Sequence, residues 1–255
     1  MSDILMIDCE TTAGGDGPEV ELIQFSCGKT GIESDPITIN MQPKKPVLPS
    51  STVIHGMTQE DVEKFPLITN VISKVYEALQ ARVTPDTYVA AYNIAFDVGV
   101  VHRAFQQYLN KTFAPKKQFD ILRLAQKLIP KEESGNHRLD TVYYYVTGKL
   151  DHLMEMRETH DAANDVLLTQ EVLEGLWDLA ESKKGKDLSL EELVKFAYEP
   201  NLLEKWPWGK HAGDQIGDVI QHDSGYINWF LSKSWSSDPQ HMDLLYTVKA
   251  LGGIK

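Results

Sequence analysis

Ile4-Leu5-Met6-Ile7-Asp8-Cys9-Glu10-Thr11-Thr12 is the stretch from which the rest of the chain is read. Residues 4–7 are wholly apolar and too few for a helix, which marks a buried strand; residues 8–12 lead out of it into a loop containing Gly14 and Gly15. Side chains alternate faces along a strand, so Asp8 and Glu10 share one face. Cys9 points to the other face, where a small thiol belongs in a core. Two acids at a strand end are ordinarily just solvated, so their meaning depends on what the chain brings to them.

Working outward, 22–26 and 37–41 are further strand-like runs, with Gly28 and Gly31 marking the turn between them. This predicts a meander of three antiparallel strands. Pro43, Pro46 and Pro49 then break regularity, and Thr58 with Asp61 reads as the N-cap of a short helix. Helical spacing covers 68–79, a buried strand covers 88–92, and Val101, Phe105 and Leu109 recur at helical spacing after it. Residues 121–128, 139–146 and 162–179 are periodic in the same way. The pattern is that of an α/β domain.

The chain has 255 residues, 42% of them hydrophobic, which suits one medium domain with a small appendage. The expected organisation is a domain over 1–180, a linker over 181–204 with a short helix opened by Ser189 and Glu192, and a small module over 205–255. That last stretch holds Trp206, Trp208, Trp229 and Trp235, four of the five tryptophans. No run approaches a membrane span or a secretory leader, so the expectation is a soluble, cytoplasmic protein that meets no membrane, with Cys9 and Cys27 reduced. The formal charge of −12 works against a broad basic surface for nucleic acid. It directs attention instead to carboxylates that engage divalent cations.

Two further groups qualify. Asp97, in Asn93-Ile94-Ala95-Phe96-Asp97, follows the 88–92 strand and falls in the first turn of the next helix, where an acid is also an ordinary helix-start residue. Asn93 can equally be an N-cap or a turn residue. His160-Asp161-Ala162-Ala163-Asn164-Asp165 opens the helical run that follows. Helix positions five apart differ by about 140° in direction, so His160 and Asp165 meet at one centre only if His160 lies on the loop or first turn.

Asp8-x-Glu10, Asn93-x-x-Phe96-Asp97 and His160-x-Ala162-x-x-Asp165, in this order and separation, resemble the histidine-bearing (DEDDh, DnaQ-like) branch of the DEDD 3′–5′ exonuclease superfamily. Ile54-His55-Gly56-Met57-Thr58 and Asn136-His137-Arg138-Leu139-Asp140 resemble its linking motifs, so the likeness covers residues 3–178. Residues 206–231 are similar to the small C-terminal module of the exonuclease X type. The resemblance implies an RNase H-like fold, with a five-stranded mixed sheet and flanking helices. It also implies two Mg²⁺ or Mn²⁺ ions held by Asp8, Glu10, Asp97 and Asp165, with His160 as general base. Substrate contacts carried over in the same way are Thr11, Thr12, His55, Met57, Asn93 and Phe96. For several of these a plainer role stands beside the functional one: Phe96 in the core, His55 capping a turn, Met57 as a hydrophobic staple.

The implied substrate is a single-stranded or frayed 3′ end, DNA rather than RNA because of the C-terminal module. An exoribonuclease of the RNase T or oligoribonuclease type would use the same five residues. A non-catalytic nucleic-acid-binding or polymerase-associated subunit is the reading from another class, and the presence of all four acids and His160 argues against it. In the C-terminal module, Trp208, Lys210 and Tyr226 offer a stacking surface for single strands, or the aromatics form the module's own small core.

Overall fold

A computed structural model describes residues 3–15, 17, 19–31, 36–157, 161–233 and 239–252. The chain divides into two compact units, 1–197 and 198–255. In chain order the first contains β1 (Ile4–Thr11), β2 (Leu22–Lys29), β3 (Ile37–Asn40), α1 (Pro49–His55), α2 (Gln59–Val62), α3 (Ile68–Arg82), β4 (Tyr88–Ala91) and α4 (Ile94–Leu109). Then come β5 (Lys117–Asp120), α5 (Ile121–Leu128), α6 (Lys131–Ser134), α7 (Leu139–Thr147), α8 (Leu150–Met156), α9 (Ala162–Lys184) and α10 (Leu190–Tyr198).

The five strands form one sheet in the order β3-β2-β1-β4-β5. β1 pairs antiparallel with β2, and β2 with β3, as the meander predicts. β4 and β5 run parallel to β1 and complete a mixed sheet. A central strand is buried on both faces, and β1 is apolar on both for that reason. Ile4 and Met6 enter a cluster with residues of α5, α7, α8, α9 and α10. Leu5, Ile7 and Cys9 enter a second cluster with residues of α3 and α4 on the opposite face.

Some expectations need correction. β1 does not end at Ile7 but continues through Asp8, Cys9 and Glu10 to Thr11, so the acids lie within the strand. β5, Lys-Gln-Phe-Asp, shows no readable pattern because Phe119 is its one core side chain. Pro49 opens α1 at a first-turn position, where a missing N–H costs nothing, rather than breaking the chain. The linker expected over 181–204 meets a different arrangement: α9 runs to Lys184, and Leu190, Leu193, Phe196 and Ala197 of α10 pack into the cluster beneath α9. Elsewhere local chemistry is as read. Thr58 and Asp61 form a reciprocal capping box, and so do Ser189 and Glu192.

The second unit contains α11 (Ile216–His222), α12 (Ser224–Leu231) and α13 (Pro239–Gly252), preceded by a 3-10 turn at Gly209–His211. Trp206 is fully buried at its centre, with Trp208, His211, Tyr226 and Phe230 edge-on to its ring. Trp206, Ile216, Val219, Ile227, Phe230, Leu244 and Val248 form a small core of their own. Trp208 and Tyr226 pack against that core, whereas Trp229 and Tyr246 are exposed. Among the described residues no helix is long and apolar enough to cross a membrane.

Candidate active site

The site forms where β1 ends. Because side chains alternate, Asp8 and Glu10 continue the face of Ile4 and Met6, the face covered by α9. α9 anchors there through Val166, Leu168, Val172 and Leu173, which fixes Asp165 in its first turn. Carboxylate oxygens of Asp8, Glu10 and Asp165 lie within 4.8 Å of one another. Asp97 arrives from the other face: α4 packs through Ile94, Val100 and Val101 on the Cys9 side, and the Cys9 thiol donates a hydrogen bond to the Asp97 carboxylate. Both faces of the sheet therefore deliver acids to one strand end. The strand irregularity between Glu10 and Thr11 lies beside them, a common device for re-aiming side chains next to a site.

Asp8, Glu10, Asp97 and Asp165 line a cleft of about 230 Å³ together with Thr11, His55, Tyr92 and Phe96. Burial is the main cause of the perturbed acidity in it. The Asp8 carboxyl is held well above its ordinary value by burial and by the charges of Asp165, Asp97 and Glu10. Glu10 is pushed up to about 7 by burial and Asp165. Asp97, fully enclosed, is raised chiefly by burial against the opposing effect of its Cys9 hydrogen bonds. Like charges converging in a low-dielectric cleft need cations or protons. Three oxygen donors within 4.8 Å suit a hard divalent ion such as Mg²⁺ or Mn²⁺, which keeps further positions for water and phosphate.

The other predicted residues separate into two groups. Thr11 and Phe96 line the cleft, Phe96 half-buried against the α4 core. His55 lines it too, but both ring nitrogens are engaged: Nδ1 accepts from the Met57 N–H at 3.1 Å, and Nε2 faces the Thr11 carbonyl at 3.3 Å. Because Nδ1 accepts from Met57, the ring proton sits on Nε2, which donates to the Thr11 carbonyl and braces the end of β1; burial lowers the ring's pKa. Thr12 is fully buried, its hydroxyl donating to the Glu19 carbonyl at 2.7 Å and accepting from the Glu21 N–H at 2.9 Å. It closes the loop between β1 and β2 and has no free donor for a ligand. Met57 packs on Ile23, Val47 and Val62, as a staple residue before the Thr58 cap does. Asn93 is an exposed turn residue at φ 79°, and its side chain makes no cap hydrogen bond. His160 lies outside the described residues, and Asp161 is the N-cap of α9.

Two groups at the site were not among the residues singled out from the sequence. Tyr92 follows directly on β4, lines the cleft and donates to the His137 carbonyl at 2.7 Å. Arg157, at the end of α8, ion-pairs with both Asp165 and Asp140. Position just beyond the end of a parallel strand was a usable signal for Tyr92. Arg157 had none, because its partners are set by how α7, α8 and α9 pack.

Comparison with known proteins agrees with this geometry. A family model described as exonuclease, of the RNase T type, matches residues 5–173. Exodeoxyribonuclease 10 of Escherichia coli K12 is 25% identical over 236 residues, spanning 92% of this chain and 93% of that protein. Protein NEN1 of Arabidopsis thaliana is 26% identical over 179 residues, which are 68% of this chain and 36% of NEN1. Among solved structures, E. coli exonuclease I in complex with a dT13 oligonucleotide aligns at TM-score 0.53 with 18% identity. The alignment covers 72% of this chain but 43% of exonuclease I. Exonuclease I from Methylocaldum szegediense aligns at TM-score 0.51 with 21% identity, covering 77% of this chain and 42% of that one. The mixed sheet, the carboxylates gathered at the end of its central strand and the match over 5–173 make this chain a member of the RNase T-type exonuclease family, a nuclease of the DEDDh, RNase H-like group.

Proposed function

We propose that this exonuclease is a 3′–5′ exodeoxyribonuclease that releases nucleoside 5′-monophosphates from single-stranded or frayed DNA 3′ ends. The convergence of Asp8, Glu10 and Asp165 within 4.8 Å, in a cleft that also holds Asp97, is the observation that carries the reading. The similarity to exodeoxyribonuclease 10 over nearly the whole of both chains supports DNA as substrate.

In this reading the four acids hold two divalent ions, Mg²⁺ or Mn²⁺, which when bound activate water and stabilise the leaving 3′ oxygen. Asp8, Glu10 and Asp165 present hard oxygen donors from β1 and α9, and Cys9 orients Asp97. His160 accepts the proton of the attacking water, a task suited to an imidazole whose ordinary pKa is about 6.5. Phe96 offers its ring to the terminal base, a contact indifferent to sequence. Thr11, braced by His55, borders the terminal nucleotide.

Degradation of end-labelled single-stranded DNA and RNA, each with Mg²⁺, Mn²⁺ or a chelator, tests this. The expected result is stepwise shortening of DNA from its 3′ end that the chelator abolishes. Faster loss of RNA than of DNA would favour an exoribonuclease of the RNase T or oligoribonuclease type. Shortening from the 5′ end would sink the reading.

A further inference from the structure

Within the acid cluster the described residues also supply a guanidinium. Arg157 directs Nε to Oδ1 of Asp140 at 2.7 Å, Nη2 to the same oxygen, and Nη1 to Oδ1 of Asp165. Asp140 sits in the first turn of α7 and Asp165 in the first turn of α9, so one planar fork ties two helix starts together. The Arg157 side chain is 11% exposed, whereas that of Asp140 is 48% exposed. Its charge reaches beyond these partners and opposes the acid-raising influences on both Asp8 and Glu10. Asp165 therefore has two competing uses: it accepts from Arg157, and it turns an oxygen toward Asp8 and Glu10.

We propose that Arg157 is an internal counter-ion of the acid cluster, which neutralises Asp165 in the metal-free protein, competes with divalent cations for that carboxylate, and falls back on Asp140 when they bind. The inference rests on reading Asp8, Glu10 and Asp165 as metal ligands. Asp140 stands outside that trio and pairs with Arg157, as a positioning residue that sets how firmly the guanidinium holds Asp165. The two residues thus have opposite effects on the cluster. Removing Arg157 unmasks Asp165, whereas neutralising Asp140 leaves the guanidinium to Asp165 alone.

Calorimetric titration of Mn²⁺ into the full chain, free of nucleic acid, separates these effects. Arg157→Gln is expected to lower the half-saturating Mn²⁺ concentration by about three- to tenfold, and Asp140→Asn to raise it by about as much. The double variant should follow Arg157→Gln, because without the arginine Asp140 has no guanidinium to draw away from Asp165. Weaker or unchanged binding in Arg157→Gln, or tighter or unchanged binding in Asp140→Asn, overturns the counter-ion role while wild-type uptake of Mn²⁺ leaves the ligand reading standing. Absence of Mn²⁺ uptake in the wild type overturns both. Should circular dichroism show that Arg157→Gln does not fold, the sign of the Asp140→Asn shift decides.

Discussion

Asp8 and Glu10 were legible because a strand repeats every two residues; once residues 4–7 were recognised as strand, the shared face followed. Asp97 was legible as a helix-start acid, but its route to the site was not, since that depends on α4 packing against the Cys9 face. Thr12 is the reverse case: the family resemblance implied a ligand contact, while in this structure its hydroxyl is committed to the carbonyl of Glu19 and the N–H of Glu21. At this scale the proposed mechanism makes a graded prediction. His160→Ala should lower single-turnover hydrolysis by roughly 10² to 10⁴, with an unaltered circular dichroism spectrum. Asp8→Asn should lower it by at least about 10² and also weaken Mn²⁺ binding. A His160→Ala protein as active as the wild type would remove that residue from the chemistry.

Elements were legible where their own sequence carried a period or a cap, as in α3, with Val71, Ile72, Val75 and Leu79 on one buried side, or at the Thr58 box. They were not where context decides. β5 is a strand because it lies beside β4, and α10 is core because α9 continues far enough to meet it. Gly175, in the middle of α9, belongs to the same class. A Cβ built there would lie 2.7 Å from Cβ of Val146 in α7, so the two helices approach as closely as they do only with glycine at this position. In an open helix, replacing glycine with alanine gains about 1 kcal/mol. Here Gly175→Ala should instead destabilise the protein by about 1–3 kcal/mol, because a packed Cβ cannot swing aside. Urea unfolding measures the sign, and a stabilised variant would show that α7 and α9 are free to separate. The same substitution should disturb the Arg157 bridge, whose two carboxylates ride on these helices.

At the scale of the molecule, the α/β class and the antiparallel meander were readable from the residues and the mixed sheet from the family resemblance, while the unit boundary after Ala197 depends on tertiary packing of α10. The second unit has its own titratable clasp. His211 Nδ1 meets Asp214 at 2.8 Å and Nε2 meets Asp223 at 3.1 Å, with Lys210 also on Asp223. These carboxylates raise the His211 pKa above its ordinary 6.5, against the smaller opposing effects of desolvation and of Lys210. A raised basic group gives stability that is fully present below pH 6.5 and is lost as pH climbs through the higher folded value. Urea unfolding followed by tryptophan fluorescence, which four of five tryptophans in this unit dominate, should therefore show declining stability above that pH. His211→Gln should flatten the decline; a wild-type profile level across this range would mean that the clasp is not felt.

Asp97 comes to the strand end with the layer on one side of the sheet and Asp165 with the layer on the other. Any ion gripped by both would act as a rivet through the sheet, since neither layer could peel away without releasing it. By mass action, Mg²⁺ at about a hundredfold its dissociation constant should then add about 2.7 kcal/mol to unfolding. Asp97→Asn and Asp165→Asn, although rooted in opposite layers, should each forfeit that gain.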